Sequence, residues 1–431
     1  IYVSEIEDMR SKLNARGAGF CLAKWTQVTM HLGTGMMHSC HHPPPHQIPL
    51  NELNADVSAL HNTNYKKEQR KRMLNGERPS ECSHCWNIED NTSNFSDRVY
   101  KSNSEYSKHR FDEIAALTGD ENVYPSYLEA SFGNVCNLRC IYCNPDFSSR
   151  WDEEIRRHGP YQVAGEEHQY PAQPQDTNAY FDAFWKWLPA ALPHLSVLRL
   201  TGGEPVSNKN IFQLIDYILE YANSSLEVGI NTHGSHDTKL WNKFLQQVKR
   251  LTAAGHRVIV FLSAEGTGEQ SQYNRYGSKW DTVARNCTDL LSNTDVSLTF
   301  MSTYNIMSVY TFTDFLSYVA SLKQQYGNER VTVDTSKLDT PEFMDYRLLP
   351  EPMLVQHLDS HIEVIVNSAG AFNLWETNKI LRLRELVGTQ PVGKNLMQKL
   401  HDYVTEYDRR RKTTFADVFG DLARDIGYTD E

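Results

Sequence analysis

The sequence predicts an α/β protein organised around a parallel sheet. Apolar, strand-like runs alternate with helical stretches between residues 111 and 305, and several runs end in a polar or glycine-rich turn. This alternation is typical of parallel strands joined by helices. Because functional residues in such folds follow the carboxyl ends of the strands, we expect the site at those turns.

The predicted elements follow one another at regular spacing. Strands are predicted at residues 127–132, 195–201, 226–231, 258–263 and 296–302. Helices are predicted between them at 180–191, 211–221, 239–253 and 282–291. Beyond residue 305 we expect strands at 330–334 and 363–367 and a last helix at 415–426. A polar insertion at 145–175 is predicted to cover the mouth of the site, since such long loops are usually functional.

Composition limits the classes of protein that fit. With 431 residues, the chain is long enough for two or three domains. The net charge of −11 argues against nonspecific nucleic-acid binding as the main task. No run approaches the roughly 18 apolar residues of a membrane span. The first residues show no secretory signal, so we expect neither membrane insertion nor export.

The cysteines are grouped rather than scattered. One pair has the spacing CxxC and one triplet has the spacing CxxxCxxC. The chain is large, and no export signal is expected in it. That grouping favours metal or cluster ligation in a reducing cytoplasm over disulfides. The eight cysteines are Cys21, Cys40, Cys82, Cys85, Cys136, Cys140, Cys143 and Cys287.

The most informative group is Cys136, Cys140 and Cys143, directly after the first predicted strand. Three cysteinates can hold three corners of a [4Fe–4S] cube and leave the fourth iron without a protein ligand. An open iron can bind and reduce an outside molecule. The alternatives are three cysteines on one helix face, or three ligands of a zinc site that takes its fourth from elsewhere.

This CxxxCxxC pattern, with Tyr142 before the last cysteine, resembles the radical S-adenosylmethionine (SAM) superfamily. The resemblance implies a partial (β/α)6, TIM-like barrel. It also implies that SAM chelates the open iron and is reductively cleaved to methionine and a 5′-deoxyadenosyl radical, which abstracts hydrogen from a substrate. The electron would come from a flavodoxin- or ferredoxin-type donor.

The same resemblance assigns SAM contacts to residues at predicted strand ends. Glycine allows close backbone approach and a carboxylate suits the SAM ammonium group, which fits a GGEP motif at residues 202–205. Other positions are expected to face the ribose, the SAM carboxylate or the adenine. The cofactor-binding residues predicted in this way are Tyr142, Gly202, Gly203, Glu204, Pro205, Asn231, Ser263, Glu265, Arg275 and Thr303.

Residues 1–110 carry a second group of four cysteines. Cys21 and Cys40 flank a predicted hairpin, and a CxxC loop supplies Cys82 and Cys85, so a closed four-thiolate site is expected. The spacing resembles the twitch domain, a shortened relative of the SPASM domain, which implies an auxiliary [4Fe–4S] cluster. In most of that family this domain follows the barrel, whereas here it precedes it. Structural zinc is the alternative.

Four histidines surround Cys40 in a proline-rich loop: His38, His41, His42 and His46. They are candidates for a metal or anion site, although a stiff loop with polar flanks explains them equally. Cys287 is a weak candidate for returning a hydrogen atom to a substrate radical. The other interpretation is an ordinary buried helix cysteine.

Three units are therefore expected: a twitch-like domain at 1–110, a radical SAM barrel at 111–305 and an α+β extension at 306–431. The extension is predicted to complete the barrel side and the substrate pocket. The predicted substrate is a peptide or an amino-acid-like molecule. A non-peptide metabolite, a non-catalytic iron–sulfur carrier or scaffold, and a zinc protein are the alternatives. The sequence leaves open the reaction outcome, the role of the auxiliary cluster and the oligomeric state.

Overall fold

Within residues 3–91, 94–168, 178–389 and 393–429, which the computed structural model describes, one nine-stranded sheet runs through the molecule. Its strand order is β13-β12-β10-β9-β8-β4-β1-β2-β3, and the seven strands from β13 to β1 are parallel. The α/β class and the parallel sheet predicted from the sequence are thus confirmed. Among the described residues, no helix has the length and apolarity needed to cross a membrane.

The amino-terminal part contributes the first three strands and eight helices. In chain order these elements are α1 (Val3–Arg16), α2 (Ala23–Thr26), β1 (Gln27–His31), β2 (Met36–His38), β3 (His46–Gln47), α3 (Leu50–Ala55), α4 (Asn64–Leu74), α5 (Ser83–Asn91), α6 (Asp97–Ser102), α7 (Glu105–Lys108) and α8 (Phe111–Ala115).

The middle of the chain contributes most of the parallel strands. The elements are β4 (Tyr127–Ser131), β5 (Arg139–Cys140), α9 (Ser149–His158), β6 (Gln162–Val163), β7 (Glu166–Glu167), α10 (Asn178–Ala191), β8 (Val197–Thr201), α11 (Lys209–Tyr221), β9 (Glu227–Thr232), α12 (Thr238–Ala253), β10 (Arg257–Ser263), α13 (Gly268–Asn274), β11 (Arg275–Tyr276), α14 (Trp280–Asn293) and β12 (Ser297–Tyr304). Residues 169–175 of the predicted covering insertion lie outside the described residues.

The carboxyl-terminal part adds the last strand and six helices. They are α15 (Phe312–Tyr326), β13 (Val331–Lys337), α16 (Glu351–Asn367), α17 (Leu374–Glu385), α18 (Leu396–Arg411), α19 (Phe415–Val418) and α20 (Gly420–Asp425). The predicted final helix is therefore two short helices.

The strand predicted at residues 363–367 is wrong, because these residues form the last turns of α16. The local sequence Glu-Val-Ile-Val-Asn alternates in a strand-like way. However, Leu354, Leu358, His361 and Ile365 recur at helical spacing and are all buried. Burial of that longer helical face outweighs the weak strand preference of five residues.

The parallel strands have two different faces. Burial alternates along β8 and β12, and buried Leu198, Leu200, Leu298 and Phe300 belong to the main hydrophobic core. The other face carries the partly accessible residues of the same strands, many of them polar. We call this second surface the polar face. Its upper end, at the carboxyl ends of the strands, is where the predicted site residues lie.

The amino-terminal part shares this sheet. Strand β1 pairs in parallel with β4 over five residues, from Gln27 opposite Tyr127 to His31 opposite Ser131. Strand β2 pairs antiparallel with β1, so the hairpin predicted between Cys21 and Cys40 is present. Cys40 follows two residues after the end of β2, and His38 at that end lies opposite Thr29 of β1.

A buried ion pair fastens α17 to the far edge of the sheet. The Nζ of Lys323 lies 3.0 Å from a carboxylate oxygen of Glu376, and neither side chain is accessible to solvent. Glu376 also accepts hydrogen bonds from the backbone N–H groups of Val333 (2.8 Å) and Asn373 (2.8 Å). One carboxylate thus joins α15, β13 and α17.

We expect Glu376→Ala to lower the free energy of unfolding by about 3–5 kcal/mol, because it leaves the Lys323 ammonium buried without its partner. Chemical denaturation monitored by circular dichroism measures this. The matched control is Asp359→Ala, which breaks the exposed 2.9 Å pair with Arg384 between α16 and α17 and should cost less than about 1 kcal/mol. Equal losses in the two variants would contradict the assignment.

Candidate active site

The cysteine triplet lies on a loop that follows β4 and is anchored by a short antiparallel pair. Strand β5 pairs with β11, so that Arg275 lies opposite Cys140 and Tyr276 opposite Arg139. The Ile141 N–H donates to the Asn274 carbonyl at 2.7 Å. The loop is therefore tied to the segment that follows β10, about 130 residues further along the chain.

Aromatic side chains from α9, which follows the loop, and from the distant α18 bind the carbonyl groups of this loop. The indole Nε1 of Trp151 donates to the Cys140 carbonyl at 2.9 Å. The Tyr403 hydroxyl donates to the Ile141 carbonyl at 2.7 Å, and the Tyr407 hydroxyl to the Arg139 carbonyl at 3.3 Å. Both tyrosines are buried on α18, so the carboxyl-terminal part fixes the loop.

One cavity at the end of the polar face brings together most of the predicted site. It contains all three cysteines and nine of the ten residues to which SAM contacts were assigned. Its lining is Cys136, Leu138, Cys140, Tyr142, Cys143, Phe147, Gly202, Gly203, Glu204, Pro205, Asn231, Thr232, His233, Ser263, Arg275 and Thr303. We call it the cysteine-loop cavity.

The GGEP segment packs directly on the backbone of the cysteine loop. The Gly203 N–H donates to the Gly133 carbonyl at 2.9 Å, and the Glu204 N–H to the Val135 carbonyl at 2.7 Å. A Cβ atom added to Gly203 would lie 2.5 Å from the Val135 carbonyl oxygen. Because backbone occupies the space of a side chain there, glycine is required.

Glu204 is buried and surrounded by hydrogen-bond donors. Its Oε2 accepts from the His233 N–H at 2.8 Å, and its Oε1 lies 3.2 Å from Nε2 of His236 and accepts from the Val206 N–H at 3.1 Å. Burial alone would raise the pKa of Glu204, but His233 and His236 outweigh it and lower that pKa to about 2. The site therefore presents a carboxylate at neutral pH.

The sequence analysis missed these two histidines. Among the described residues, Glu204, His233 and His236 are also the one group of three metal-ligating side chains whose donor atoms lie within 4.8 Å of one another. His233 further contacts Asn137 of the cysteine loop at 2.8 Å. Both histidines follow β9 within the sequence NTHGSH, residues 231–236, but nothing in its spacing linked them to Glu204.

Glu265, the tenth predicted contact, lies behind the cavity. Its Oε2 accepts hydrogen bonds from Nη2 of Arg275 at 2.5 Å, from Nε of Arg275 at 3.1 Å and from the Tyr142 hydroxyl at 3.0 Å. Arg275 lines the cavity, but its guanidinium is already paired with Glu265, whereas we expected it to pair with the SAM carboxylate.

Cys287 lies apart from this site. It is fully buried on α14 within the main hydrophobic core. Burial raises the pKa of its thiol to about 12. It does not line the cysteine-loop cavity, so its position is that of an ordinary buried helix cysteine.

The other four cysteines line a second small cavity beside the sheet edge. Cys21 precedes α2, Cys40 follows β2, Cys82 directly precedes α5 and Cys85 lies in the first turn of α5. Burial raises the pKa of all four thiols, that of Cys82 and Cys85 to about 12. Metal binding there would therefore release protons.

Cations surround this four-thiol cavity. Arg98 and Lys101 line it, and the buried Lys24 pairs with Glu81. Burial alone would lower the pKa of Lys24, but Cys82 and Glu81 outweigh it and raise that pKa. Arg98 is paired with Glu89 and Lys101 with Asp97. These pairs leave the cations only part of their charge to offset the cost of burying thiolates or an anionic metal complex.

The four histidines near Cys40 do not converge on one point. His38 contacts His31 at 3.0 Å, His42 contacts Asp97 at 2.8 Å and His46 contacts the Thr63 hydroxyl at 3.1 Å. His41 is exposed. Within the described ranges these imidazoles form no ligand group, which agrees with the simpler interpretation of a polar loop.

Comparison with known proteins agrees with the geometry of the cysteine-loop cavity. The sequence profile of the family described as "Radical SAM superfamily" matches residues 130–322. GTP 3′,8-cyclases from three strains of Campylobacter jejuni are 26% identical over 110 residues, which is 25% of this chain and 28% of the length of each cyclase. The chain thus matches less than a third of these relatives.

Two solved structures are remote neighbours. Streptococcus suis SuiB has a TM-score of 0.39 and 12% identity, covering 72% of this chain and 66% of its own. The FeFe-hydrogenase maturase HydG from Carboxydothermus hydrogenoformans has a TM-score of 0.31 and 12% identity, covering 88% of this chain and 92% of its own. At these scores nothing about this chain's substrate follows.

The chain therefore carries a radical SAM superfamily domain at residues 130–322. The superfamily predicted from the cysteine spacing is confirmed for this part of the chain. A domain of this superfamily implies a [4Fe–4S] cluster and SAM.

Proposed function

We propose that this protein is a radical SAM enzyme that abstracts hydrogen from a peptide or amino-acid-like substrate. The observation that carries the proposal is the single cavity shared by Cys136, Cys140, Cys143 and the GGEP segment. Three thiols supply three ligands of a [4Fe–4S] cluster and leave one iron for SAM. When bound, this pair of cofactors supplies a 5′-deoxyadenosyl radical, and the protein supplies position and shielding.

The number of thiols at the cysteine-loop cavity fits a cluster better than a structural zinc ion. Three cysteines line this cavity, which matches three corners of a [4Fe–4S] cube with one iron left open. Structural zinc sites are instead closed by four protein ligands. The four thiols of the other site match either a closed cube or a zinc ion in number.

The protein's own groups at the cavity match the functional groups of SAM. Glu204 remains ionised at neutral pH because of its histidine and backbone partners, so it suits an ammonium group. Asn231, Ser263 and Thr303 offer hydrogen-bonding side chains along the carboxyl ends of β9, β10 and β12. Tyr142 also lines the cavity, and its aromatic ring suits packing near the adenine.

We propose an auxiliary [4Fe–4S] cluster at Cys21, Cys40, Cys82 and Cys85. Its four thiols would fill all four corners, so it has no open iron for SAM. The strand register places Cys40 toward the amino ends of β1 and β4, because β2 runs antiparallel to β1 and His38 already lies opposite Thr29. The cysteine-loop cavity lies at the opposite, carboxyl ends of the strands. We propose that this twitch-like part serves in electron transfer or in shaping the substrate pocket. A flavodoxin- or ferredoxin-type protein is the proposed electron donor.

A third cavity, which adjoins the cysteine-loop cavity, supports the proposed substrate class. It has a volume of about 500 Å³ and shares Tyr142 and Cys143 with the cysteine-loop cavity. Apolar Val163, Phe343 and Tyr403 line it together with charged groups such as Lys399. This mixture suits an amino-acid side chain with adjoining backbone. A non-peptide metabolite is the alternative substrate, and a non-catalytic iron–sulfur carrier is the alternative function.

We expect anaerobic reconstitution to yield about eight irons per chain and absorption near ~400 nm, since two four-iron clusters are proposed. With dithionite and SAM, the loaded protein should form 5′-deoxyadenosine. Perdeuterated peptide pools and amino-acid pools, added separately, should distinguish substrates by deuterium transfer into that product.

The four-thiol site can be tested separately. The double variant Cys82→Ala/Cys85→Ala should keep about four irons and the SAM-responsive cluster, since the cysteine-loop site is untouched. Stoichiometric zinc after loading, or loaded protein that forms no 5′-deoxyadenosine, would contradict the proposed function. Deuterium transfer from neither pool would contradict the substrate class.

A further inference from the structure

Arg275, which lines the cysteine-loop cavity, also lies against one thiol of the cysteine triplet. Its Nη1 lies 3.9 Å from the Sγ of Cys140. The antiparallel pair of β5 and β11 holds the two residues opposite each other through their backbones. The approach of the guanidinium to this sulfur is therefore built into the fold of the loop.

Glu265 fixes the direction of that guanidinium. Two nitrogens of Arg275 donate to the same carboxylate oxygen, at 2.5 and 3.1 Å, and the Tyr142 hydroxyl donates to it at 3.0 Å. The two charged side chains are only 7% and 1% exposed. Their charges are therefore little screened by solvent.

We propose that Arg275 and Glu265 set the reduction potential of the cluster at Cys136, Cys140 and Cys143. In this assignment Arg275 contacts the thiolate of Cys140. Glu265 is a positioning residue for Arg275 and also neutralises part of the positive charge of the guanidinium. The inference rests on the proposed function for the cluster itself. It changes the role expected for Arg275, from binding the SAM carboxylate to contacting the cluster.

The sign of each charge effect follows from electrostatics. Reduction adds one negative charge to the cluster, so a nearby cation raises the potential and a nearby anion lowers it. Hydrogen bonds to cluster sulfurs also raise the potential. A paired Arg275 and Glu265 therefore keeps the N–H···S contact while cancelling much of the cationic effect. That combination suits a cluster that must donate an electron at low potential.

The test is a redox titration of the loaded, full-length protein, followed by electron paramagnetic resonance. The cluster at issue is the one whose signal changes when SAM is added. Glu265→Gln keeps the size of the side chain but removes its charge, so the midpoint potential should shift to more positive values. Adding Arg275→Gln to that variant should shift it back in the negative direction.

Glu265→Asp keeps the charge and should stay closer to the wild-type potential than Glu265→Gln does. Iron content and circular dichroism of each variant establish that the cluster and fold are present. An unchanged or more negative potential in Glu265→Gln, or no reversal in the double variant, would overturn this inference alone. A wild-type protein that binds no SAM-responsive cluster would overturn the proposed function as well.

Discussion

Replacing Cys136, Cys140 or Cys143 with alanine should reduce the formation of 5′-deoxyadenosine to the background rate. The expected loss is more than about 100-fold, since even outer partners of metal ligands typically contribute 10- to 100-fold to affinity or activity. In each variant only two of the three thiols in the cavity remain to hold the cluster. Anaerobic turnover with dithionite and SAM, with 5′-deoxyadenosine quantified by liquid chromatography, measures this.

Cys287→Ala is the matched control for that experiment. It removes a thiol from the core on α14 and not from either cavity, so it should cost about 1 kcal/mol of stability. Its rate of SAM cleavage should equal that of the wild type. Activity retained in all three loop variants would contradict the proposed function, and activity lost in Cys287→Ala would give that residue a role that its position does not suggest.

Replacing Gly203 with alanine should have the second largest effect, with about a 100-fold loss of SAM cleavage. The added Cβ would lie 2.5 Å from the Val135 carbonyl oxygen and 2.6 Å from the Asn134 carbonyl carbon. Both are backbone atoms of the cysteine loop, so the loop or the GGEP segment must move. A displacement of about 1 Å at a reacting centre can cost about 100-fold in rate.

Gly420→Ala is the control for this substitution. Gly420 begins α20, and a Cβ added there meets no atom within 4 Å. Its activity and thermal midpoint should match those of the wild type. If Gly203→Ala bound iron and cleaved SAM normally, the close packing of the GGEP segment on the loop would not be needed for activity.

The sequence predicted the three cysteine ligands better than it predicted the residues that hold the cysteine loop in position. The spacing of Cys136, Cys140 and Cys143 reflects the local geometry of one loop, and a GGEP turn requires glycine at a given point of a strand end. Requirements of this kind involve neighbouring residues, so they can be recognised in a short stretch of the sequence. The cavity accordingly contains nine of the ten residues assigned from the sequence to SAM contacts.

Long-range contacts left no comparable pattern. Tyr403 and Tyr407 bind carbonyl groups of a loop that lies about 260 residues earlier, and helical spacing explains their positions equally well. Glu265 was assigned from a motif, yet it is buried against Arg275, whose position depends on the pairing of β11 with β5. The order of strands, with β1 beside β4, likewise depends on pairing across about 100 residues.

The hydroxyl groups on α18 limit how far the chain could be shortened around its radical SAM domain. Residues 130–322 match the superfamily, yet a fragment with these limits would lose Tyr403 and Tyr407 from the cysteine loop. It would also lose β1 from one side of the sheet and β13 from the other. Every ligand thiol of the triplet would remain, but without the distant groups that now hold its backbone in place. The smallest fragment that keeps the cysteine loop in place must therefore include α18 as well as β1 and β13. It extends well beyond residues 130–322.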